Sequence, residues 1–314
     1  MRKQKKAQAQ IQSKKSFKVR LKNSWQIYIL VLPAMLYYFL FDYLPMYGVQ
    51  IAFKDFKAVQ GIWGSEWVGL KHFKNFFNAY YFERLFSNTI LLNIYSLLWS
   101  FPIPIIIAIM LNYVRRDKLK RFMQTTIYVP HFVSTVVVAG MLYIFLSPST
   151  GIFNIAREAI GLKAIDFMSE PSAFRTIYIA SGIWTSAGYG SILYIASLTS
   201  VDPSLYEAAE IDGASIWQKI RFIDIPTILP MAAMRFILDW GGIMNSSTAK
   251  VLLLQTSGNV STSDIIGVYS YTAGLQLGQF SYSSAISLFT NIINFVMLIL
   301  VNKISKKLAG MSMF

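Results

Sequence analysis

The sequence predicts an all-α polytopic membrane protein with about six spans, and three observations carry that prediction. Hydrophobic residues make up 54% and aromatic residues 15% of the 314, with only 14% charged, which is too apolar for a soluble domain of this length. Apolar runs near 25–43, 88–113, 125–146, 176–199, 227–243 and 285–301 approach the roughly 20 residues that cross a bilayer. Between the fourth and fifth runs lies a polar insert, residues 200–226, dense in acidic side chains.

Charge sets the orientation. A net charge of +14 in a soluble protein points to nucleic acid, but its distribution here excludes that reading. Arg2, Lys3, Lys5, Lys6, Lys14, Lys15, Lys18, Arg20 and Lys22 fill a basic tail, residues 1–24, that contains no acid. It reads as a cytoplasmic anchor on membrane lipid. The run behind it is long enough to span and lacks a small-residue cleavage site, so it is expected to stay as the first span rather than leave as a signal peptide. By alternation the next inside loop carries Arg115, Arg116, Lys118, Lys120 and Arg121 against Asp117. Lys303, Lys306 and Lys307 close the membrane domain, residues 25–307, before a short tail, 308–314. Both termini are therefore expected in the cytoplasm. The third inside loop, with Asp202, Glu207, Glu210, Asp212 and Asp224 against Lys219 and Arg221, breaks the positive-inside pattern. An acidic inside loop suits a protein-facing surface better than a lipid-facing one.

That loop reads as two short helices and a turn. Asp202 with Pro203 behind it, or Ser204 with Glu207 as a capping box, starts the first. Gly213 stops it, in the left-handed conformation that a residue without Cβ adopts freely. Ser215 and Gln218 have capping-box spacing for the second, Ile216, Ile220 and Ile223 share one of its faces, and Pro226 is expected to end the insert. The full pattern is Glu207-Ala208-Ala209, three residues, Gly213, nine residues, then Ile223-Asp224-Ile225-Pro226. It resembles the cytoplasmic loop signature of permease subunits in binding-protein-dependent ABC importers, matching six of seven fixed positions with Ile225 in place of Leu. The resemblance implies the type I importer permease fold, and a coupling role for Glu207, Ala208, Ala209, Asp212, Gly213, Ile223 and Pro226, which would dock on an ATP-hydrolysing subunit.

The first outside segment is long and aromatic. In 67–77, Leu70, Phe73, Phe76 and Phe77 fall on one helical face and lysines on another, as expected of an interfacial brace, with His72 on the polar side. His131 follows Pro130 at the mouth of the third span and is expected to cap or pack locally. Cysteine is absent and these two are the only histidines, so neither a thiolate or histidine metal site nor a cysteine nucleophile is expected. No Walker-type or Gly-x-Ser-x-Gly loop is present.

In the fourth span Gly182, Ser186 and Gly190 recur every fourth position, a small-residue face expected to be buried against protein. Trp184 and Tyr189 are expected away from it, with aromatic surface of the kind that stacks on sugar rings, although packing is the commoner use. The fifth span is interrupted by Arg235 and Asp239, four apart and so on one face. Facing lipid, such a charge costs about 2.5–3.5 kcal/mol. Two placements remain: a structural ion pair at a contact with a second permease, the preferred one, or polar lining that meets sugar hydroxyls together with Asn245 and Tyr189.

Further stretches extend the resemblance over most of the chain. Tyr128 to Ser134, Gly151 to Asn154, Trp184 with Gly188 and Tyr189, and Gln279 to Tyr282 with 285–294 are similar to permeases that import oligosaccharides and polysaccharide fragments. The segment Ser246 to Lys250 lacks the Gly-Phe-Glu of many relatives, which leaves the substrate open. The resemblance implies a bacterial plasma-membrane location and a second, homologous permease as heterodimer partner. It also implies ATP-binding cassette subunits that hold ATP and magnesium, an extracellular sugar-binding lipoprotein, and no cofactor on this chain. A polytopic enzyme acting on glycans or lipids would need a cluster of acids, bases or metal ligands, and the acidic cluster here is taken by the loop. A secondary transporter would show internal repeats of its spans, and none is visible.

Overall fold

The computed structural model describes residues 24–309, so the basic tail before Ser24 and nearly all of the tail 308–314 lie outside the described residues. Two compact units are distinguished. The described part of one comprises residues 24–51 and 56–66, and the other comprises 52–55 and 67–309.

The first unit is built on helix α1, Trp25–Tyr38, which runs through a π-turn, Phe39–Tyr43, into a single α-turn, Leu44–Met46. None of the side chains in these three elements is buried within the unit. The second unit opens with α2, Lys71–Phe77, and continues through α3, Phe82–Ser100, and α4, Pro102–Asn112. Next come α5, Asp117–Tyr128, α6, Thr135–Phe145, and α7, Ile152–Ala159. The long α8, Pro171–Thr199, leads to α9, Pro203–Ile211, and α10, Ile216–Lys219. The chain ends with α11, Ile225–Gly241, α12, Thr248–Leu254, α13, Ile266–Tyr271, and α14, Phe280–Ala309.

Three described helical stretches are long and apolar enough to cross a membrane: Trp25–Phe53, Phe82–Asn112 and Phe280–Lys307. A broken pair becomes a fourth if counted as one span. That pair covers the apolar run expected to span at 125–146, and it is broken: Asp117–Phe132 and Thr135–Phe145 meet at 98°. The break has a local cause. Pro130 sits in a 3₁₀ turn, Val133 and Ser134 are extended, and the Ser134 hydroxyl starts α6 afresh by accepting from the Val137 amide at 3.3 Å.

Apolar burial is concentrated in three clusters. One gathers Leu92, Phe174, Val251, Leu254 and Ile265 around α3, α8 and α12. A second joins Phe76, Leu85, Ile243, Ile266 and Ile286, and a third joins Ala108, Tyr194, Leu198 and Ile228 where α4, α8 and α11 meet. At Gly188 the backbone of α8 touches α5 so closely that a Cβ would collide with the Ile127 carbonyl oxygen. The helix-packing small residue of this span is thus Gly188.

The interfacial brace differs from expectation. Phe76 is fully buried, edge-on to Phe82 and Phe289, while Leu70 and Phe77 stay exposed. His72 is buried and not on a polar face; its Nε2 lies 2.9 Å from Asp55 and 3.1 Å from the Lys54 carbonyl. The periodicity showed which residues share a face but not that α2 would be pressed against α14, which sinks Phe76 and draws His72 under the chain at Lys54. Lys71, bonded to Asp55 at 2.6 Å, and His72 beside it hold that carboxyl below its ordinary range.

Two of the π-turns share a sequence context. Phe39–Tyr43 ends two residues before Pro45, and Ile220–Asp224 ends two residues before Pro226. In each, the residue preceding proline donates its amide five residues back, Leu44 to Phe39 and Ile225 to Ile220. A proline ring collides with the carbonyl four residues earlier in an α-helix, and the wider turn relieves that collision. Pro226 thus stands in the first turn of the apolar α11, where the polar insert ends, but it does not interrupt the helix. The backbone from Ile216 to Gly241 is helical throughout.

Candidate functional site

The loop between α8 and α11 is a rigid hairpin held by its own backbone chemistry. Asp202 is the residue that caps α9, accepting from the Ser204 amide at 3.0 Å, and this bond holds its carboxyl below the usual range. Gly213 has φ +73°, and the Ala214 amide reaches back to the Ala209 carbonyl at 2.8 Å, the six-to-one bond of a glycine-terminated helix. Ser215 and Gln218 form the capping box of α10. Lys219, itself buried, crosses the hairpin to Glu210 at 2.8 Å and lowers that carboxyl's pKa.

The outward face of the hairpin is apolar as well as acidic. Ile211 is 87%, Trp217 79% and Phe222 69% exposed, beyond what a water-facing loop leaves uncovered. Glu207, Ala208, Asp212, Gly213 and Pro226 lie exposed around them, while Ala209 and Ile223 are half-buried on the inner side.

A second feature is a cavity of about 510 Å³ between α3, α4, α8 and α11. Arg235 and Asp239 line it as an i,i+4 pair, 3.0 Å apart, with the arginine side chain 57% exposed. Tyr189 and Asn245 line it too, so four of the five residues singled out for a pathway meet on one wall. The fifth, Trp184, is not among the lining residues. Asn245 is fixed by Asn294, whose amide donates to it at 2.9 Å while its carbonyl oxygen accepts from the Met244 amide.

The small-residue face is placed otherwise than expected. Ser186 is exposed on the cavity beside Tyr189, whereas Gly190, half-buried, lines the cavity and has Pro104 of α4 3.4 Å from where its Cβ would lie. Gly182, one turn away, leaves room for the Lys250 ammonium, 3.2 Å from where a Cβ would lie; Lys250 donates to the Tyr178 carbonyl at 2.7 Å. Four-residue spacing identifies a face, and the face can border a void as readily as a helix.

His131 was missed. Its ring stacks on Tyr189 with centroids 3.9 Å apart and planes 5° from parallel, on the cavity wall. The close approach of α5 to α8, at Ile127 four residues before His131 and at Gly188 next to Tyr189, brings it there, and nothing in the linear pattern signals that contact. Asn93, Ser96 and Ser100 also line the cavity, and Asn93 donates to Ser246 at 2.7 Å. Here a signal existed: spacings of three and four make a polar stripe along an otherwise apolar span.

Residues 100–310 match the family described as binding-protein-dependent transport system inner membrane component. The chain belongs to this family. Over 94% of its length it is 38% identical to the polygalacturonan/rhamnogalacturonan transport system permease protein YteP of Bacillus subtilis (strain 168), covering 92% of that protein. It is 39% identical to protein LplB of the same organism over 93% of its own length and 92% of that protein's. A chain of the bacterial alginate ABC transporter, crystallised with an alginate pentasaccharide-bound periplasmic protein, superposes with a TM-score of 0.86. It is 36% identical, over 95% of this chain and 100% of that one. The architecture is thus the type I ABC importer permease fold, and the chain is a transport subunit and an inner membrane component.

Proposed function

We propose that the chain is one of two homologous permeases that together pass a fragment of an acidic polysaccharide across the bacterial plasma membrane, driven by separate ATP-binding cassette subunits docked on the 200–226 hairpin. The observation that carries this reading is the cavity wall. Arg235, Asp239, Asn245 and the stacked His131–Tyr189 pair offer charge, hydrogen bonds and an aromatic face within one void, as a sugar bearing carboxylates and hydroxyls requires. The relatives named for polygalacturonan and rhamnogalacturonan, and the neighbour crystallised with alginate oligosaccharide, support the substrate class. ATP and magnesium belong to the cassette subunits in this scheme, and an extracellular lipoprotein delivers the sugar.

Accumulation of labelled trigalacturonate and of an alginate trisaccharide tests it. Cells lacking this chain should lose at least one of the two uptakes by about 100-fold, as a saturable path is removed, with monosaccharide uptake unchanged. Equal accumulation of both with and without the chain excludes the assignment.

Orientation follows from the same scheme, with the hairpin inside. Ser149, Ser215 and Ser257 are all exposed, and the protein has no native cysteine. Single cysteines at Ser149 and Ser257 should react with an impermeant thiol reagent on intact cells, and one at Ser215 only after permeabilisation. Labelling at Ser215 from outside reverses the topology.

A further inference from the structure

Asp224 is completely buried at the end of the π-turn that joins the hairpin to α11. Its two oxygens accept from two tyrosine hydroxyls, Tyr113 at 2.7 Å on one and Tyr206 on the other. Tyr206 in turn accepts from the Asn112 side-chain amide at 3.3 Å. Among the described residues no lysine, arginine or histidine pairs with Asp224. A carboxylate so placed is expensive to bury, and an apolar side chain of similar volume would serve stability as well or better. Its use must lie in what it connects.

The three bonded residues come from three different elements. Tyr206 is on the inner side of α9 and adjoins exposed Glu207; Tyr113 follows the end of α4; Asp224 leads directly into α11. Both α4 and α11 wall the cavity, α4 through Pro104 and α11 through Arg235, Leu238 and Asp239. Burial, then the bond to Asp224, pushes the Tyr206 phenol up to about 12 and the Tyr113 phenol well above its ordinary range. Both hydroxyls thus keep their protons and remain donors at any cellular pH.

We propose that Asp224 is a positioning residue that ties the docking helix α9 to the cavity helices α4 and α11, so that displacement of the hairpin moves the cavity wall. The proposal rests on the coupling reading of the hairpin. In α9 the joint sits one residue from the outward-facing Glu207, so a shift of that helix pulls directly on the carboxylate. Coupling between distant sites is carried by packed side chains and hydrogen-bond networks together, and a buried carboxylate that accepts from two elements adds a directional link to the packing.

The test uses the assembled transporter in membrane vesicles and the missing native cysteines. A single cysteine replaces Ser186, exposed on the cavity wall, and its rate of reaction with N-ethylmaleimide is compared without nucleotide and after trapping with ATP and vanadate. With Asp224 intact the two rates should differ by at least about five-fold, the lower end of ordinary site-to-site coupling. In Asp224→Leu and in Tyr206→Phe the difference should shrink below about two-fold while the cassette subunits co-purify in normal amount. Asp224→Asn, which keeps an acceptor for one phenol, should respond in between. A merely structural residue would lower the yield and leave the response of each assembled complex unchanged. Should Asp224→Leu not assemble, Tyr206→Phe, which leaves Tyr113 on the carboxylate, decides alone. A full response in assembled Tyr206→Phe overturns the proposal. If the response survives there but is lost in Gly213→Pro, this proposal alone fails; if wild type shows none, the coupling reading fails and takes the proposal with it.

Discussion

Gly213→Pro should reduce uptake by about 100-fold while the protein still inserts, because proline in a site that cannot accept it costs about 3 kcal/mol or more. Proline holds φ near −65°, whereas Gly213 stands at +73°, so the hairpin cannot close around the new residue. The substitution also removes the amide that donates to the Glu210 carbonyl at 3.1 Å. No membrane-embedded side chain is touched, and the damage stays in the surface that carries Ile211, Trp217 and Phe222. Gly213→Asn, the side chain that best tolerates this conformation, should keep most of the activity. Glu207→Lys, exposed and free of any backbone role, should lower uptake by reversing charge on the docking face. The readouts are uptake and co-purification of the cassette subunits. Normal assembly with full uptake in Gly213→Pro would remove the coupling function from the hairpin.

Arg235 and Asp239 give the second large effect. Both side chains line the cavity, and lining the path, not a structural pair at a second permease, is the placement that the proposed function takes; an ion pair open to water there contributes about 0–1 kcal/mol. Assembly should therefore survive Arg235→Met, Asp239→Leu and the double variant alike. Uptake should fall by about 10–100-fold in each, since a lost hydrogen bond to a charged group is worth about 1.5–3 kcal/mol. Rescue of both assembly and uptake in the double variant would return the pair to a structural role. Transport equal to wild type in all three would mean that the wall they line is not on the path.

What was legible in the sequence is what depends on local backbone chemistry. The capping box of Ser215 and Gln218, the left-handed Gly213, and the shared face of Arg235 and Asp239 each involve residues within four positions of one another, and each stands in the structure as read. What escaped depends on angles and distant partners. The contact of α5 with α8 at Gly188 decides that His131 meets Tyr189, and the approach of α2 to the body decides that His72 is buried. Gly188 and Gly182 looked alike as small residues, but one clears a backbone carbonyl and the other a lysine ammonium. Asp224 looked like one more acid of a polar loop. Only the return of α4 and α9 to the same place makes it a buried joint.

The π-turn before Pro226 also fixes an azimuth. Each residue of an α-helix advances the side chain by about 100°, so the one additional residue held in the wide turn rotates everything before it by that amount about the axis of α11. The direction in which Trp217 and Phe222 point, relative to the direction in which Arg235 and Asp239 point, is therefore a count of residues rather than a matter of packing. Loss of a single residue from 220–222 would keep both helix caps and Gly213, shorten the nine-residue spacer to eight, and turn the docking face about a quarter of the way round the helix.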